Sequence, residues 1–326
     1  MIPSASAASP APRGALVVRL CNWVGEVVLA VPAINRLSAA GYDVHLIGKG
    51  WSPSLLESLD LPVLVRPKKF VSAVNQLSDL RDHLAAEHSP LRPQALLFTR
   101  SFSSALEARL ARLSPVGYAY DGRTPLLAEA YARPKDSHAG NEYWQVVNEF
   151  LRETLPFPTE LGLNPSPAQL ARAHELLAAN EVAPGSYVLL CPFSGSDDRE
   201  DRKIWPGFPA LTDQLHRQGL TTLVCPGPGE VELAQVRTPE SVLLIDVDLG
   251  TYGALLALAG AVVANDTGPG HLAAAVGAPL ISVYGPTSSE AWTPVGSQVT
   301  LFHDSAWPEV ATVDEAVRFN LRNHRS

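Results

Sequence analysis

The stretch VVANDTGPGHLAAAVGAPLISVYGPTS, residues 262–288, contains two apolar runs separated by a polar turn and a run of small residues. The apolar runs predict buried strands, and HLAAA predicts a helix whose small side chains allow close packing on a sheet. A strand, a tight turn, a helix and a second strand in this order form the repeating unit of a parallel α/β sheet. The turn also contains residues that a buried strand and helix do not require, namely Asp266, Thr267, Gly268, Gly270 and His271.

This turn has the properties of a phosphate site. Free amides at a helix N-terminus bind phosphate, and glycine lets the phosphate approach the backbone. Thr267 can donate a hydroxyl, while Asp266 and His271 can hold a ribose, a sugar or a phosphate. The alternative is that Asp266 or Thr267 only caps the helix, which leaves Gly-Pro-Gly-His unexplained. GPGHLA also matches a dinucleotide fingerprint, but the next strand ends in YGP and offers no acid to a ribose, which disfavours a dehydrogenase.

Apolar runs and amphipathic segments alternate along the rest of the chain, which predicts βαβ units and parallel strands. The predicted strands are 15–20, 43–48, 61–65, 94–99, 187–191, 221–225, 242–245, 261–265 and 280–284. The predicted helices are 26–40, 52–59, 71–87, 102–112, 141–154, 168–180, 207–218, 229–236, 251–259, 270–276 and 313–324.

The proline-rich segment LPFPTELGLNPSP, residues 155–167, interrupts this alternation and predicts a linker. The chain is therefore divided into a disordered leader at 1–14, an N-terminal domain at 15–155, a linker at 156–167 and a C-terminal domain at 168–326. The predicted fold class is α/β, with two doubly wound parallel sheets that face a central cleft. Ligands of such folds bind in that cleft.

The composition limits the classes of function. The 326 residues are 46% hydrophobic and 18% charged, with a formal net charge of −8. This predicts a soluble globular protein that does not bind nucleic acid through bulk electrostatics. Cys21, Cys191 and Cys225 have no paired spacing, so we expect reduced, mostly buried thiols of a cytoplasmic protein. No His and Cys cluster has metal-ligand spacing. The longest apolar run is about half the length that spans a bilayer, so any membrane contact is expected to be peripheral.

A second candidate site follows the first predicted strand, in RLCNWVGEVVLAVPAINRL, residues 19–37. Glu26 falls in the first helical turn, where a carboxylate often only complements the helix dipole. A carboxylate beside a glycine at the end of strand one is also where a general base would act. The residues alone leave both interpretations open. The candidates for acceptor binding in the same half are Asn22, Trp23, Arg100 and Arg123, although the arginines also suit an ordinary surface.

A third candidate site follows strand 187–191, in SGSDDREDRKIWPGF, residues 194–208. Ser194 is a candidate to contact phosphate and Lys203 to neutralise it, although an acidic run of this kind is usually a solvated loop. Glu230 follows strand 221–225 and is a candidate for a ribose hydroxyl, or only part of a solvated helix start.

Together these motifs resemble glycosyltransferase family 9, whose best-known members are the lipopolysaccharide heptosyltransferases. NDTGPGHLAAAVGAPLISVYGPT is similar to the family signature, and NWVGEVVLAVPAINRL, SFSSAL, GYAYDGR and RKIWPGF are similar to segments of heptosyltransferase II-type members. The resemblance implies a GT-B fold with the acceptor on the N-terminal domain and the nucleotide-sugar on the C-terminal domain. It also implies that the last helix packs back toward the first domain.

The resemblance further implies inverting, metal-independent sugar transfer without a cofactor, from ADP-heptose to a lipopolysaccharide core or a related, lipid-linked glycan. Glu26 then matches the catalytic base, where the family usually has Asp. Lys203 matches the lysine at the donor phosphates, and the turn at 266–271 matches the donor-site motif. Two alternatives share the fold: a non-catalytic nucleotide-sugar-binding protein and a nucleotide-sugar epimerase.

Overall fold

The computed structural model describes residues 13–87, 93–135, 137–193, 204–285 and 290–324. Most of the predicted leader, together with Ser194 and Lys203 of the third candidate site, lies outside these described residues. The described residues form two α/β domains in series.

The N-terminal domain is built on one parallel sheet with helices between its strands. The strands are β1 (Gly14–Arg19), β2 (Tyr42–Gly48), β3 (Val63–Val65), β4 (Gln94–Leu97), β5 (Ser114–Tyr118) and β6 (Glu129–Tyr131). The helices are α1 (Val24–Ala39), α2 (Ser52–Leu55), α3 (Phe70–Glu87), α4 (Phe102–Leu110) and α5 (Ala139–Leu151). The strand order is β3-β2-β1-β4-β5-β6, so the order reverses between β1 and β4.

The C-terminal domain repeats this plan. Its strands are β7 (Tyr187–Cys191), β8 (Thr221–Val224), β9 (Val242–Leu243), β10 (Ala261–Ala264), β11 (Leu280–Tyr284) and β12 (Val299–His303). Its helices are α6 (Pro167–Ala179), α7 (Phe208–Arg217), α8 (Val231–Arg237), α9 (Leu249–Ala257), α10 (Gly268–Ala275) and α11 (Val310–His324). The order β12-β11-β10-β7-β8-β9 is the same arrangement read from the other edge, with its reversal between β7 and β10.

The predicted α/β class with two doubly wound parallel sheets is confirmed, and three strands were missed. The strand β5 contains Pro115 and Gly117, and both residue types argue against a strand when only the sequence is known. The strands β6 and β12 are edge strands with partly exposed side chains, so neither has the continuous apolar run of a buried parallel strand.

The last helix departs from the expectation that it packs back toward the first domain. Val313, Val317 and Leu321 repeat every four residues on one face of α11 and are buried in the core of the C-terminal domain. They pack there against α7, β10 and β11. Through this apolar stripe, α11 packs on the sheet of its own domain.

The two domains share one apolar core. The helix α1 is buried along most of its length and packs against β2 and α5 on its own side and against α10 of the other domain. A second contact joins α2 to α9 and α6. There the Gln169 side-chain amide donates to the Ser54 carbonyl oxygen at 2.7 Å, and Arg172 pairs with Glu57 at 2.9 Å.

The three cysteines are free thiols, as predicted, with Cys21 and Cys191 buried and Cys225 half-buried. Burial raises the pKa of Cys191 to about 12, which keeps this thiol protonated. Within the described part of the chain, no helix combines the length and hydropathy needed to cross a membrane.

Candidate active site

Two adjoining cavities open where the strand order of each sheet reverses. The smaller, about 190 Å³, lies beyond the carboxyl ends of β1 and β4 and is lined by residues 21–23, Glu26 and residues 98–101. The larger, about 770 Å³, lies beyond β7, β8 and β10, and loops of the N-terminal domain form its opposite wall. Trp23 lines both cavities, so they meet at this side chain. Ligands of doubly wound sheets bind at such reversal points.

The larger cavity receives two helix N-termini. Val24 and Gly25 of α1 line it from one domain, and Gly268 and Pro269 of α10 line it from the other. In neither helix does the side chain of the N-cap residue, Trp23 or Thr267, accept a hydrogen bond from the first turn. The Thr267 hydroxyl lies 3.4 Å from the Asn265 carbonyl oxygen instead. Thr267 therefore does not cap α10. Because Pro269 has no N–H, the Gly268 amide is the first-turn donor of α10 that lines the cavity and is available to an anion.

Glycines allow the two helix N-termini to meet. A Cβ atom on Gly25 would lie 2.8 Å from Cδ2 of His271, and one on Gly268 would lie 3.3 Å from Cβ of Val24. The first distance is shorter than real Cβ contacts and the second is tight. The glycines on each side thus place the amides of both helices at one edge of the larger cavity.

His271 lies in this helix contact and does not line the larger cavity. This position differs from the prediction that His271 binds the donor. Its side chain is buried, and its Nδ1 has no hydrogen-bond partner among the described residues. Burial, together with the nearby His138, lowers the pKa of His271 to about 4, so the ring is neutral at pH 7. The ring stands edge-on to Trp292, with the centroids 6.5 Å apart.

The other predicted donor residues divide into two groups. Thr267, Gly268 and Glu230 line the larger cavity. The Glu230 carboxylate also accepts a hydrogen bond from the Gly227 amide at 2.7 Å. Asp266, which interacts with the Tyr284 hydroxyl, and Gly270 are not part of the lining.

Glu26 lies at the wall of the smaller cavity. Its side chain is only 13% exposed, and its Oε1 is 3.6 Å from Nη2 of Arg100. Burial raises the pKa of Glu26, against the opposing effects of Arg100 and of a hydrogen bond from Tyr143. A carboxylate that is less acidic than usual, at the wall of a cavity, is suited to take a proton.

Three of the four predicted acceptor residues meet at the smaller cavity. Asn22, Trp23 and Arg100 line it, and the Trp23 side chain is 66% exposed. The ammonium group of Lys49 lies 5.5 Å from the centre of the Trp23 ring. An exposed aromatic face with a cation beside it is a surface that a sugar ring can contact.

Arg123 is the exception among the acceptor candidates. Its side chain is fully buried and donates to the carbonyl oxygens of Thr99, at 2.5 Å, and Tyr118, at 2.9 Å. Burial lowers its pKa to about 10. Because no part of Arg123 reaches either cavity, the structure gives it the role of fixing the ends of β4 and β5 and not that of contacting an acceptor.

Sequence reasoning missed several cavity residues that follow strand ends. Trp51 and Ser54 close the larger cavity from the N-terminal domain, and Tyr252 and Asp248 lie on its opposite wall. Asp248 also caps α9, because its carboxylate accepts from the amides of Gly250 and Thr251 at 3.0 Å each. The position of these missed residues after parallel strands was the available signal.

In the described parts of the chain, no group of three or more His, Cys, Asp or Glu could hold a metal ion.

Comparison with known proteins relates this architecture to one family. The model of the family described as glycosyltransferase family 9 (heptosyltransferase) matches residues 93–319, which is well over half of the chain. The chain is 31% identical over 143 residues to lipopolysaccharide heptosyltransferase 3 of Escherichia coli. That match spans 41% of this chain and 41% of that relative, so less than half of the relative's length is covered.

Solved structures show the same fold at low sequence identity. The family 9 glycosyl transferase from Veillonella parvula DSM 2008 aligns with a TM-score of 0.79 at 16% identity, over 96% of this chain and 98% of that one. The ADP-heptose heptosyltransferase II of E. coli aligns with a TM-score of 0.77 at 18% identity, over 95% and 99%. With the family model and the paired cavities, these similarities lead to one conclusion: the chain belongs to glycosyltransferase family 9.

Proposed function

We propose that the chain is an inverting glycosyltransferase that moves a sugar from a nucleoside-diphosphate sugar to a glycan acceptor. One observation carries this proposal: the Glu26 carboxylate lines a cavity that adjoins, at Trp23, a larger cavity facing the N-terminus of α10. A sugar bound near Trp23 would have a base on one side and an anion-binding helix end on the other. These are the two groups that a single displacement at an anomeric carbon needs.

In the proposed reaction, the donor occupies the larger cavity with its diphosphate at the first turn of α10. The acceptor hydroxyl enters the smaller cavity, where Glu26 takes its proton as the hydroxyl oxygen attacks the anomeric carbon. The bond from that carbon to the diphosphate oxygen breaks, and the leaving group carries away the electron pair. The amides at Gly268 and the helix dipole stabilise the added negative charge without a metal ion. Attack from the side opposite the leaving group inverts the configuration.

The finer identity of the substrates is proposed from the family. The names of the relatives support ADP-heptose as the donor and an acceptor of the lipopolysaccharide core type. Such an acceptor is lipid-linked, so we propose that the protein works in the cytoplasm, in peripheral contact with the cytoplasmic face of the inner membrane. Nucleic acid is not among the proposed partners, in line with the net charge of −8.

The donor assignment can be tested by calorimetric titration with ADP, UDP and GDP in the absence of added metal. We expect selective binding of ADP, and Thr267→Val is expected to weaken it about tenfold, because a hydroxyl that bonds a charged phosphate is removed. Thr221→Val is the matched control, since Thr221 begins β8 and so lies at the amino ends of the strands, away from the cavity at their carboxyl ends. A preference for UDP or GDP would rule out ADP-heptose, and binding of none of the three would rule out the donor site.

The pH dependence of transfer tests the role of Glu26. A base acts in its deprotonated form, so the rate should fall as the pH drops through the pKa of Glu26. Because burial raises this pKa, the acid limb is expected above the ordinary glutamate value of about 4.3. The measurement is the rate of donor consumption at saturating substrate as a function of pH. An acid limb at or below the ordinary value would contradict the assignment.

A further inference from the structure

The candidate base belongs to a row of four charged side chains with alternating signs. Nη2 of Arg100 lies 3.6 Å from Oε1 of Glu26, and Nη1 of the same guanidinium lies 3.3 Å from Oε2 of Glu142. The other oxygen of Glu142 accepts from Nη2 of Arg133 at 2.5 Å. The row therefore reads Glu26, Arg100, Glu142, Arg133, and Arg100 is shared between two carboxylates.

Arg100 is held more closely by Glu142 than by the candidate base. The contact with Glu142 is within hydrogen-bond distance, whereas the contact with Glu26 is an ion pair without a hydrogen bond. Glu142 lies in the first turn of α5 and is itself 12% exposed. The Tyr118 hydroxyl donates to its backbone carbonyl at 2.6 Å, which fixes that turn. A rigid, well-buried carboxylate thus sets the position of the guanidinium.

This sharing matters for a base, because a carboxylate that forms a close pair with arginine is stabilised in its charged form and takes up protons poorly. We propose that Glu142 is a positioning residue that holds Arg100 back from Glu26 and so leaves the Glu26 carboxylate free to accept the proton of the acceptor hydroxyl. The proposal rests on the proposed function, in which Glu26 is the base. Arg133 acts in turn by fixing the second oxygen of Glu142.

Other groups around Glu26 do not provide this control. Tyr143 of α5 gives a hydrogen bond to Glu26, and the Cys21 thiol of the preceding loop lies close to both. Burial raises the pKa of both groups, so both stay neutral near pH 7. On the α10 side, His271 faces Gly25 and not Glu26, and it is neutral as well. Arg100 and Glu142 are therefore the charged groups of the described structure that act on this carboxylate.

The test is a carbon-13 NMR titration of the glutamate carboxyls in the full-length protein, with the Glu26 signal identified by its loss in Glu26→Gln. In Glu142→Gln, Arg100 is released toward Glu26 and a neighbouring negative charge is removed. The Glu26 titration and the acid limb of transfer should both move to lower pH by about one pH unit. In Arg133→Gln, Glu142 is retained but pairs with Arg100 alone. The Glu26 titration and the acid limb of transfer should then both move to higher pH.

Glu129→Gln is the matched control, because it makes the same charge change in the same domain but breaks a more exposed pair with Arg152. A purely structural role for Glu142 would lower the melting temperature and leave the Glu26 titration where it is. That result, or a shift to higher pH in Glu142→Gln, would overturn the proposal. If Glu142→Gln does not fold, the Arg133→Gln titration decides it. The titration needs no substrate, so a failure to detect transfer would count against the proposed function and not against this result.

Discussion

Replacing Glu26 by glutamine is expected to lower the rate constant for transfer by about 10² to 10⁴-fold, the range that a general base contributes. The amide keeps the size of the side chain and its place at the wall of the smaller cavity, but it cannot take a proton. Binding of the nucleoside diphosphate should be unchanged, because the larger cavity does not include Glu26. Single-turnover rates with saturating donor and acceptor, together with calorimetry of the donor, measure the two quantities separately.

Glu26→Asp is the informative partner of this variant. It introduces the residue type that the family resemblance implies for the base, but the carboxylate is withdrawn by one methylene from the position set by α1 and Arg100. A displacement of about 1 Å can cost about 100-fold in rate, so we expect a rate between those of the wild type and Glu26→Gln. If Glu26→Gln transfers sugar as fast as the wild type, Glu26 is not the base. If the wild type and Glu26→Gln both bind the donor but neither transfers sugar, the chain is a binding protein on this fold.

The second large effect is expected from Gly250→Ala, which should lower the free energy of unfolding by about 1–3 kcal/mol, the usual cost of overpacking. A Cβ atom at Gly250 would overlap the Ser54 carbonyl oxygen and the Gln169 side-chain amide, which meet at the contact of α9 with α2. A backbone carbonyl cannot rotate away as a flexible side chain can. The domains would have to separate at this contact.

The control for this effect lies one turn further along α9. A Cβ at Gly253 would find Leu272 Cδ1 at 3.6 Å, an ordinary contact. Gly253→Ala should therefore be neutral or stabilise the protein by up to about 1 kcal/mol through helix propensity. Urea unfolding of the two variants gives the comparison. Donor affinity should also fall in Gly250→Ala alone, because Asp248 and Leu249 beside it line the larger cavity. Equal free energies of unfolding for the two variants would show that α2 and α9 can move apart at little energetic cost.

The fold is predictable from the sequence where a strand or helix has a recognisable pattern in its own residues. Every predicted strand and helix corresponds to an element in the structure, because buried parallel strands are continuous apolar runs and the helices between them are amphipathic. The missed strands β5, β6 and β12 have no such run. Their pairing is set by neighbouring strands, which a local pattern cannot report.

The candidate site was only partly predictable for the same reason. Glu26 and Thr267 follow strand ends, so their place at a cavity could be inferred from topology. Glu142 acts on Glu26 from a helix more than a hundred residues away, and nothing in its local sequence indicates this. The burial of Arg123 and His271 was not predictable either, because burial of a polar side chain depends on which elements pack over it.

The position of α1 has a consequence for how such proteins can be recombined. One side of this helix is fitted to its own sheet and α5, and the other is fitted to α10 through glycines on both helices. A chimera that joins the N-terminal half of this chain to the C-terminal half of a relative, cut between α5 and α6, would place α1 against an α10 that evolved beside another helix. Exchange of acceptor or donor preference by swapping halves should therefore succeed only when the facing surfaces of α1 and α10 come from one parent. The α1–α10 pair is then the unit that has to be kept together in such a recombination, and the two sheets are the parts that can be exchanged around it.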